Sequence, residues 1–275
     1  MPTIQSNGLN LTYSDTGGTG RPVVLIHGWP LSGASWEHQT QAFAAAGHRV
    51  VTFDRRGFGG SDKPGSVDDY GYDALAADLA GLIDGLDLQD ATIVGFSMGG
   101  GEVARYLGTY GSGRIRSAVL AGAVPPYLLK TDDNPEGGLP EADAAGMEDG
   151  FRSGRAEFLD GFLTNFFSVD GELVVSEEER QKALALTEPA IDEAILACIN
   201  SFARTDFRAD LAKVDVPTLV IHGDSDAIVP FEVSGKRSAE AIADSTLVVV
   251  EGGPHGFNVS HAEQFNAAVL EFLAR

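Results

Sequence analysis

Ser97 stands in Gly95-Phe96-Ser97-Met98-Gly99, a G-x-S-x-G pattern set between the apolar run ATIVG and the helix-forming run GGGEVARYL. A serine on a tight strand-to-helix turn is held in a strained backbone conformation that exposes its hydroxyl. Small residues on both sides let strand and helix approach without a Cβ clash. The turn also puts Ser97 near a helix amino end, whose unpaired N–H groups favour the negative charge that develops in acyl transfer. Nucleophilic attack on a carbonyl is the chemistry that fits.

A serine hydroxyl is a weak nucleophile at neutral pH and needs a base; around such a turn the chain order is Ser, then Asp or Glu, then His. Of the six histidines, His27, His38 and His48 precede Ser97, and His222 ends a strand before its acid could appear. His255 and His261 remain. His255 lies in Gly253-Pro254-His255-Gly256, a loop just after TLVVV, whereas His261 begins the last helical stretch and reads as a surface or capping residue. The orienting acid should follow the preceding strand, where TLVIHGDSDAIVP offers both Asp224 and Asp226. Spacing allows either one, and the other would tie down the turn through backbone N–H groups.

A developing oxyanion needs two donors. Met98 supplies one as the residue after the nucleophile, and the loop His27-Gly28-Trp29-Pro30 supplies the second. The Trp29 N–H is the natural donor there, because Gly28 permits an unusual turn and Pro30 has no N–H. Asp54-Arg55-Arg56-Gly57-Phe58-Gly59-Gly60-Ser61 reads as a structural loop whose Asp and Arg side chains pin neighbouring backbone. His222, Asp224 and Asp226 lack the further clustered ligands a metal would need. The glycine runs GGTG and GGGE lack a P-loop lysine or a complete dinucleotide fingerprint, so neither a metal nor a nucleotide cofactor is expected.

The elements that must carry these residues are short apolar, β-branched runs: Val23 to His27, Val50 to Asp54, Ala91 to Phe96, Ile115 to Ala121, Thr218 to His222 and Thr246 to Val250. Near-continuous apolar strands of this kind suit a sheet buried on both faces. Helical stretches alternate with them at Trp36 to Ala46, Tyr72 to Leu86, Gly99 to Tyr110, Val233 to Ala243 and Ala262 to Ala274. The result is an α/β fold with a mostly parallel, doubly wound sheet, and Leu11 to Ser14 adds an early antiparallel strand. The alternation lapses between Val124 and Val216. We read residues 124–213 as a helical cap inserted after the sixth strand, with the core formed by 1–123 and 214–275. PPYLLKTDDNPEGGLPEADAAG should be loop, whereas EFLDGFLTNFF, SEEERQKALAL and IDEAILACINSFA have helical spacing. The cap aromatics Phe151, Phe158, Phe162, Phe166, Phe167 and Phe202, with Met147, are candidates to line an apolar pocket.

Composition narrows the partners. The net charge of −21 opposes attraction to nucleic acid or an anionic membrane. It suits a well-solvated surface, or adaptation to high salt. No apolar stretch reaches the roughly 20 residues of a membrane span. MPTIQSNGLNLTY has no basic start followed by an apolar run, so cytoplasmic residence is expected. Cys198 is the single cysteine, so no internal disulfide forms, and AILACIN reads as helix core.

With VVLIHGWPLSGASWEHQ, VTFDRRGFGGSDKP, IVGFSMGGGEVARYLGTYG, IHGDSDAIVPFE and GGPHGFNVSHAEQFN, the chain resembles bacterial cofactor-free haloperoxidases and their aryl esterase and lactamase relatives. The resemblance implies an α/β-hydrolase fold, a triad of Ser97, Asp226 and His255, and an oxyanion hole at the backbones of Trp29 and Met98. It selects Asp226 over Asp224. It further implies a metal-free serine esterase acting on small esters or carboxylic acids, whose acyl-enzyme is attacked by hydrogen peroxide or water. The peracid released then oxidises halide in solution. Trp29 and Pro30 stand where the family's peroxide preference resides, and relatives assemble as trimers or hexamers. Lactam, amide or carbon–carbon bond hydrolysis would use the same triad, and a non-catalytic ligand-binding protein on this scaffold is the alternative of another class. A dehalogenase would have Asp in place of Ser97.

Overall fold

The computed structural model describes residues 1–275. Its centre is an eight-stranded sheet of β1 (Thr3–Ser6), β2 (Leu9–Asp15), β3 (Pro22–Ile26), β4 (Arg49–Phe53), β5 (Ala91–Phe96), β6 (Ile115–Ala121), β9 (Thr218–Gly223) and β10 (Ser245–Val250). The spatial order is β1-β2-β4-β3-β5-β6-β9-β10; β1 and β2 run antiparallel to their neighbours and all other pairs are parallel. This is the expected mostly parallel sheet with its early antiparallel strand.

Side chains alternate across a strand, so a run that is apolar throughout must be covered on both faces. Val23 and Leu25 of β3 point into one core layer with Phe43, Trp36, Phe265 and Phe272, while Val24 and Ile26 point into the other. The first layer is closed by α1 (Glu37–Ala45) and α11 (Ala262–Leu273), the second by α2 (Tyr72–Gly85) and α3 (Met98–Tyr110). Helix α2 buries Tyr72, Leu75, Ala76, Leu79, Leu82 and Ile83, the three-and-four spacing of a helix with one apolar face.

Between β6 and β9 lie α4 (Glu141–Ser153), α5 (Arg155–Phe166), the short hairpin of β7 (Ser168–Val169) and β8 (Glu172–Leu173), α6 (Glu177–Ala185), α7 (Asp192–Arg204) and α8 (Arg208–Leu211). We take this segment, residues 124–213, as the cap. One expectation for it fails: the EADAAG end of the presumed loop is the first part of α4. Pro140 precedes Glu141 and Asp143, so the breaker is a helix start and the first-turn acids complement the helix dipole. Strand β1 was also not expected. The turn Asn7-Gly8, at φ 47° and 80°, closes the β1–β2 hairpin and was its sequence signal. Beyond β9, α9 (Gly235–Ala241) and α10 (Phe257–Ser260) complete the core, and no helix is long and apolar enough to cross a membrane.

Candidate active site

Ser97 sits between β5 and α3 at φ 54° and ψ −118°, a left-handed conformation costly for a residue with a Cβ. The crowding of strand against helix forces it. A Cβ on Gly95 would lie 2.3 Å from the Gly99 carbonyl oxygen, so only glycine lets the chain turn this tightly.

His255 is carried by the loop after β10. Its Nε2 lies 2.9 Å from Ser97 Oγ, and its Nδ1 lies 2.7 Å from Asp226 Oδ2. The structure thus brings Ser97, His255 and Asp226, all buried, into one hydrogen-bonded line. Phe96 and Phe166 pack against the imidazole with ring centroids 5.2 and 5.0 Å away, and the Phe166 carbonyl accepts from the Gly256 N–H at 2.8 Å. Helix α5 of the cap therefore helps hold the histidine loop. His261 is elsewhere, its Nδ1 beside the Ser260 hydroxyl at the start of α11.

The two competing aspartates divide sharply. Asp226 Oδ1 accepts the backbone N–H groups of Ile228 at 2.9 Å and Val229 at 2.8 Å, which turns its other oxygen to His255. Asp224 is exposed and accepts the Gly252 N–H at 2.8 Å, joining the turns after β9 and β10. A further imidazole, not expected from sequence, stands behind Asp226: His222 Nε2 donates to the Val229 carbonyl at 2.8 Å and lies 3.3 Å from Asp226 Oδ2. Burial works to raise the Asp226 carboxyl, but the neighbouring His255 and His222 rings override it and hold it well below the usual carboxylate range. The carboxylate is kept ionised, as the partner of an imidazolium must be.

Trp29 and Met98 flank the nucleophile from two directions. Met98 opens α3, where backbone N–H groups have no intrahelical partner. Trp29 follows Gly28, whose added Cβ would lie 3.2 Å from the Cβ of Ser97, so this loop passes directly over the serine. The Trp29 indole donates to the Ile195 carbonyl at 3.2 Å and packs on Phe162 and Phe202. Pro30 is buried beside it. The DRRGFGGS loop pins backbone as expected: Asp54 accepts the N–H groups of Gly33 and Gly60, and Arg56 pairs with Asp78.

A cavity of about 570 Å³ opens above Ser97. Met147, Phe158, Phe162 and Phe202 line it as expected, joined by Leu128, Leu139 and Ile228, which sequence reasoning did not single out. Phe151, Phe166 and Phe167 do not line it. They are core residues, and no helical spacing separates a wall aromatic from a core one. No group of three His, Cys, Asp or Glu side chains converges as a metal site, and Cys198 is buried in α7.

Comparison with known proteins agrees with this architecture. Residues 21–262 match the family model described as the alpha/beta hydrolase fold. A non-heme chloroperoxidase of Kitasatospora aureofaciens is 41% identical over 97% of this chain and 97% of its own length. A bifunctional esterase/perhydrolase of Acinetobacter calcoaceticus is 36% identical, again covering 97% of both. Among solved structures, a bromoperoxidase from Bacillus anthracis superposes with a TM-score of 0.96 at 50% identity, covering 100% of this chain and 99% of its own. The chain therefore belongs to the α/β-hydrolase family, in the branch that holds the non-heme haloperoxidases.

Proposed function

We propose that this protein is a serine hydrolase of small carboxylic esters that works through an acyl-enzyme on Ser97, with hydrogen peroxide as an alternative acceptor to water. The contact line from Ser97 Oγ through His255 to Asp226 carries this reading. Related proteins named for chloroperoxidase and for combined esterase and perhydrolase activity support it.

His255 Nε2 takes the Ser97 proton as Oγ attacks the ester carbonyl. The N–H groups of Trp29 and Met98 receive the negative charge that moves onto the carbonyl oxygen. The alcohol departs with the proton from His255, leaving the acyl group on Ser97. A second acceptor, water or H₂O₂, gives a proton to His255 and attacks the acyl carbon; collapse returns that proton to Ser97 Oγ. Water yields the acid. Peroxide yields a peracid, which diffuses away and oxidises halide, so the chain itself need not bind halide.

We assign peroxide preference to Trp29 and Pro30. Pro30 fixes its own φ, restricts the residue before it and places no N–H beside the acyl group. Replacing Pro30 by Ala should lower the ratio of peracid to acid formed from one ester in peroxide. An unchanged ratio in a folded variant removes this assignment.

Ser97→Ala should abolish turnover of p-nitrophenyl acetate, and a fluorophosphonate should add one adduct mass to the wild type at Ser97 and none to the variant. Undiminished turnover by the purified variant would end the proposal.

A further inference from the structure

We infer that His27 is a positioning residue for the oxyanion hole, acting through the peptide unit that joins Gly28 to Trp29. This deepens the reading above and rests on the Trp29 N–H being an oxyanion donor.

The Gly28 carbonyl and the Trp29 N–H are opposite ends of one peptide group. The bond between them is trans, so the C=O and N–H bonds point in opposite directions and fixing one fixes the other. The Gly28 oxygen is held twice, by His27 Nδ1 at 2.9 Å and by the Leu31 N–H at 3.1 Å. The Trp29 N–H has no acceptor in the protein, and Trp29 shares the cavity wall with Ser97. Two donors on the carbonyl also polarise the peptide, which strengthens the N–H at its other end.

The imidazole can do this only in one protonation form, and its surroundings select it. The Arg55 backbone N–H points at Nε2 from 3.0 Å, so Nε2 must offer a lone pair and Nδ1 must carry the hydrogen. Burial, followed by the charge of Arg55, lowers the pKa of the ring well below its usual value, so it stays neutral. Arg55 is itself fixed: Nη2 donates to the His27 carbonyl at 2.6 Å, and Nε donates to Glu102 of α3 at 2.6 Å. Helix α3 also begins with Met98. Both donors of the hole are thereby referred to one buried framework, although they come from loops far apart in sequence.

A longer contact also joins Nδ1 to Arg55 Nη1 at 3.4 Å. Asn and Gln at position 27 separate the contact on the Gly28 oxygen from the contact with the Arg55 backbone N–H. The amide of Asn reaches the place of Nδ1 and keeps a donor for the Gly28 oxygen. The amide of Gln reaches the place of Nε2 and keeps only an acceptor for the Arg55 N–H. The readout is affinity for an aryl trifluoromethyl ketone, which Ser97 converts to a hemiketal with its oxyanion in the hole, measured beside kcat and KM for p-nitrophenyl acetate. The His27→Gln variant should lose on the order of 10–100-fold in ketone affinity and in kcat, with KM within about threefold, and His27→Asn should recover most of the loss. Equal ketone affinity in the Gln and Asn variants, or a better result for Gln, overturns the inference. A variant that lowers only the melting temperature overturns it too. Fluorophosphonate labelling of the wild type at Ser97 keeps the two questions apart: no label defeats the acyl-enzyme reading, whereas a labelled wild type with indifferent His27 variants defeats this inference alone.

Discussion

Asp224 and Asp226 differ in what their backbone surroundings ask of them. Asp226 is held by two N–H groups and faces His255; Asp224 faces solvent and staples a turn. Asp226→Asn should lower kcat on the order of 10⁴-fold with the fold intact, because a carboxamide can force the wrong imidazole tautomer and cannot stabilise its cation. Asp224→Asn should stay within a few-fold of wild type. Steady-state kinetics on both variants, with circular dichroism as a folding control, decides between them. The depressed Asp226 value has a thermodynamic counterpart: the folded chain binds that proton less tightly than the unfolded chain. The associated stability is present above the usual carboxylate range and is lost as pH falls through the lower folded value. Gly28 is under a different constraint, since an added Cβ would lie 2.7 Å from the Phe96 ring as well as close to Ser97. Gly28→Ala should therefore cost about 100-fold in kcat, more than its loss of melting temperature suggests, by shifting the loop over the nucleophile.

Helix α3 and the loop after β4 are joined by the fully buried pair of Arg55 and Glu102, in which Glu102 Oε1 accepts from Arg55 Nε and lies 2.5 Å from Nη2, and Oε2 has no hydrogen-bond partner. Burial raises the Glu102 carboxyl to about 7 against the pull of Arg55. The folded chain thus holds this proton more tightly than the unfolded chain, so stability should fall as pH rises from the ordinary Glu value to about 7. Glu102→Gln removes that slope and, above about pH 7 where the wild-type carboxylate is ionised, strands the Arg55 charge, at a cost of about 3–5 kcal/mol. Replacing both residues by Leu should cost less than Glu102→Gln at pH 8, and urea denaturation at pH 5 and pH 8 would reveal both this and the lost slope. None of this was legible in the sequence. The DRRGFGGS motif announced a pinned loop, but nothing linked Arg55 to a residue in another helix or His27 to the carbonyl beside it. The parallel strands were readable because burial on both faces leaves unbroken apolar runs. Edge strand β1, with the mixed composition TIQS, was not, and neither was α4 behind its proline. Ser97 was readable because its constraint is local, a helix and a strand crowding one turn. The choice between Asp224 and Asp226 was open on spacing because it depends on which way a short turn faces the interior.

Over the whole surface the excess of acid reaches the mouth of the cavity. Asp143 of α4 and Glu157 of α5 line it, both are exposed and neither makes an ion pair, while no Lys or Arg side chain lines the cavity at all. The interior is apolar, so an ester of suitable shape is admitted by burial of its hydrophobic surface, and charge acts at the entrance. A chain of net charge −21 with two unpaired carboxylates at that entrance repels an anionic substrate before it reaches Ser97. An aryl hemisuccinate should therefore react with a lower kcat/KM than the neutral aryl butyrate, by up to about tenfold at low salt. Because screening shortens to about 10 Å at 0.1 M salt and about 3 Å at 1 M, the ratio should approach one as salt is added. The double substitution Asp143→Asn and Glu157→Gln should narrow the ratio at low salt and leave the neutral ester unaffected, which assigns the discrimination to the rim. If the ratio in the double variant keeps its wild-type value and salt dependence, the general surface charge acts alone. A ratio insensitive to both salt and substitution would mean that the apolar wall selects by fit and that the acidic surface has no part in the choice of substrate.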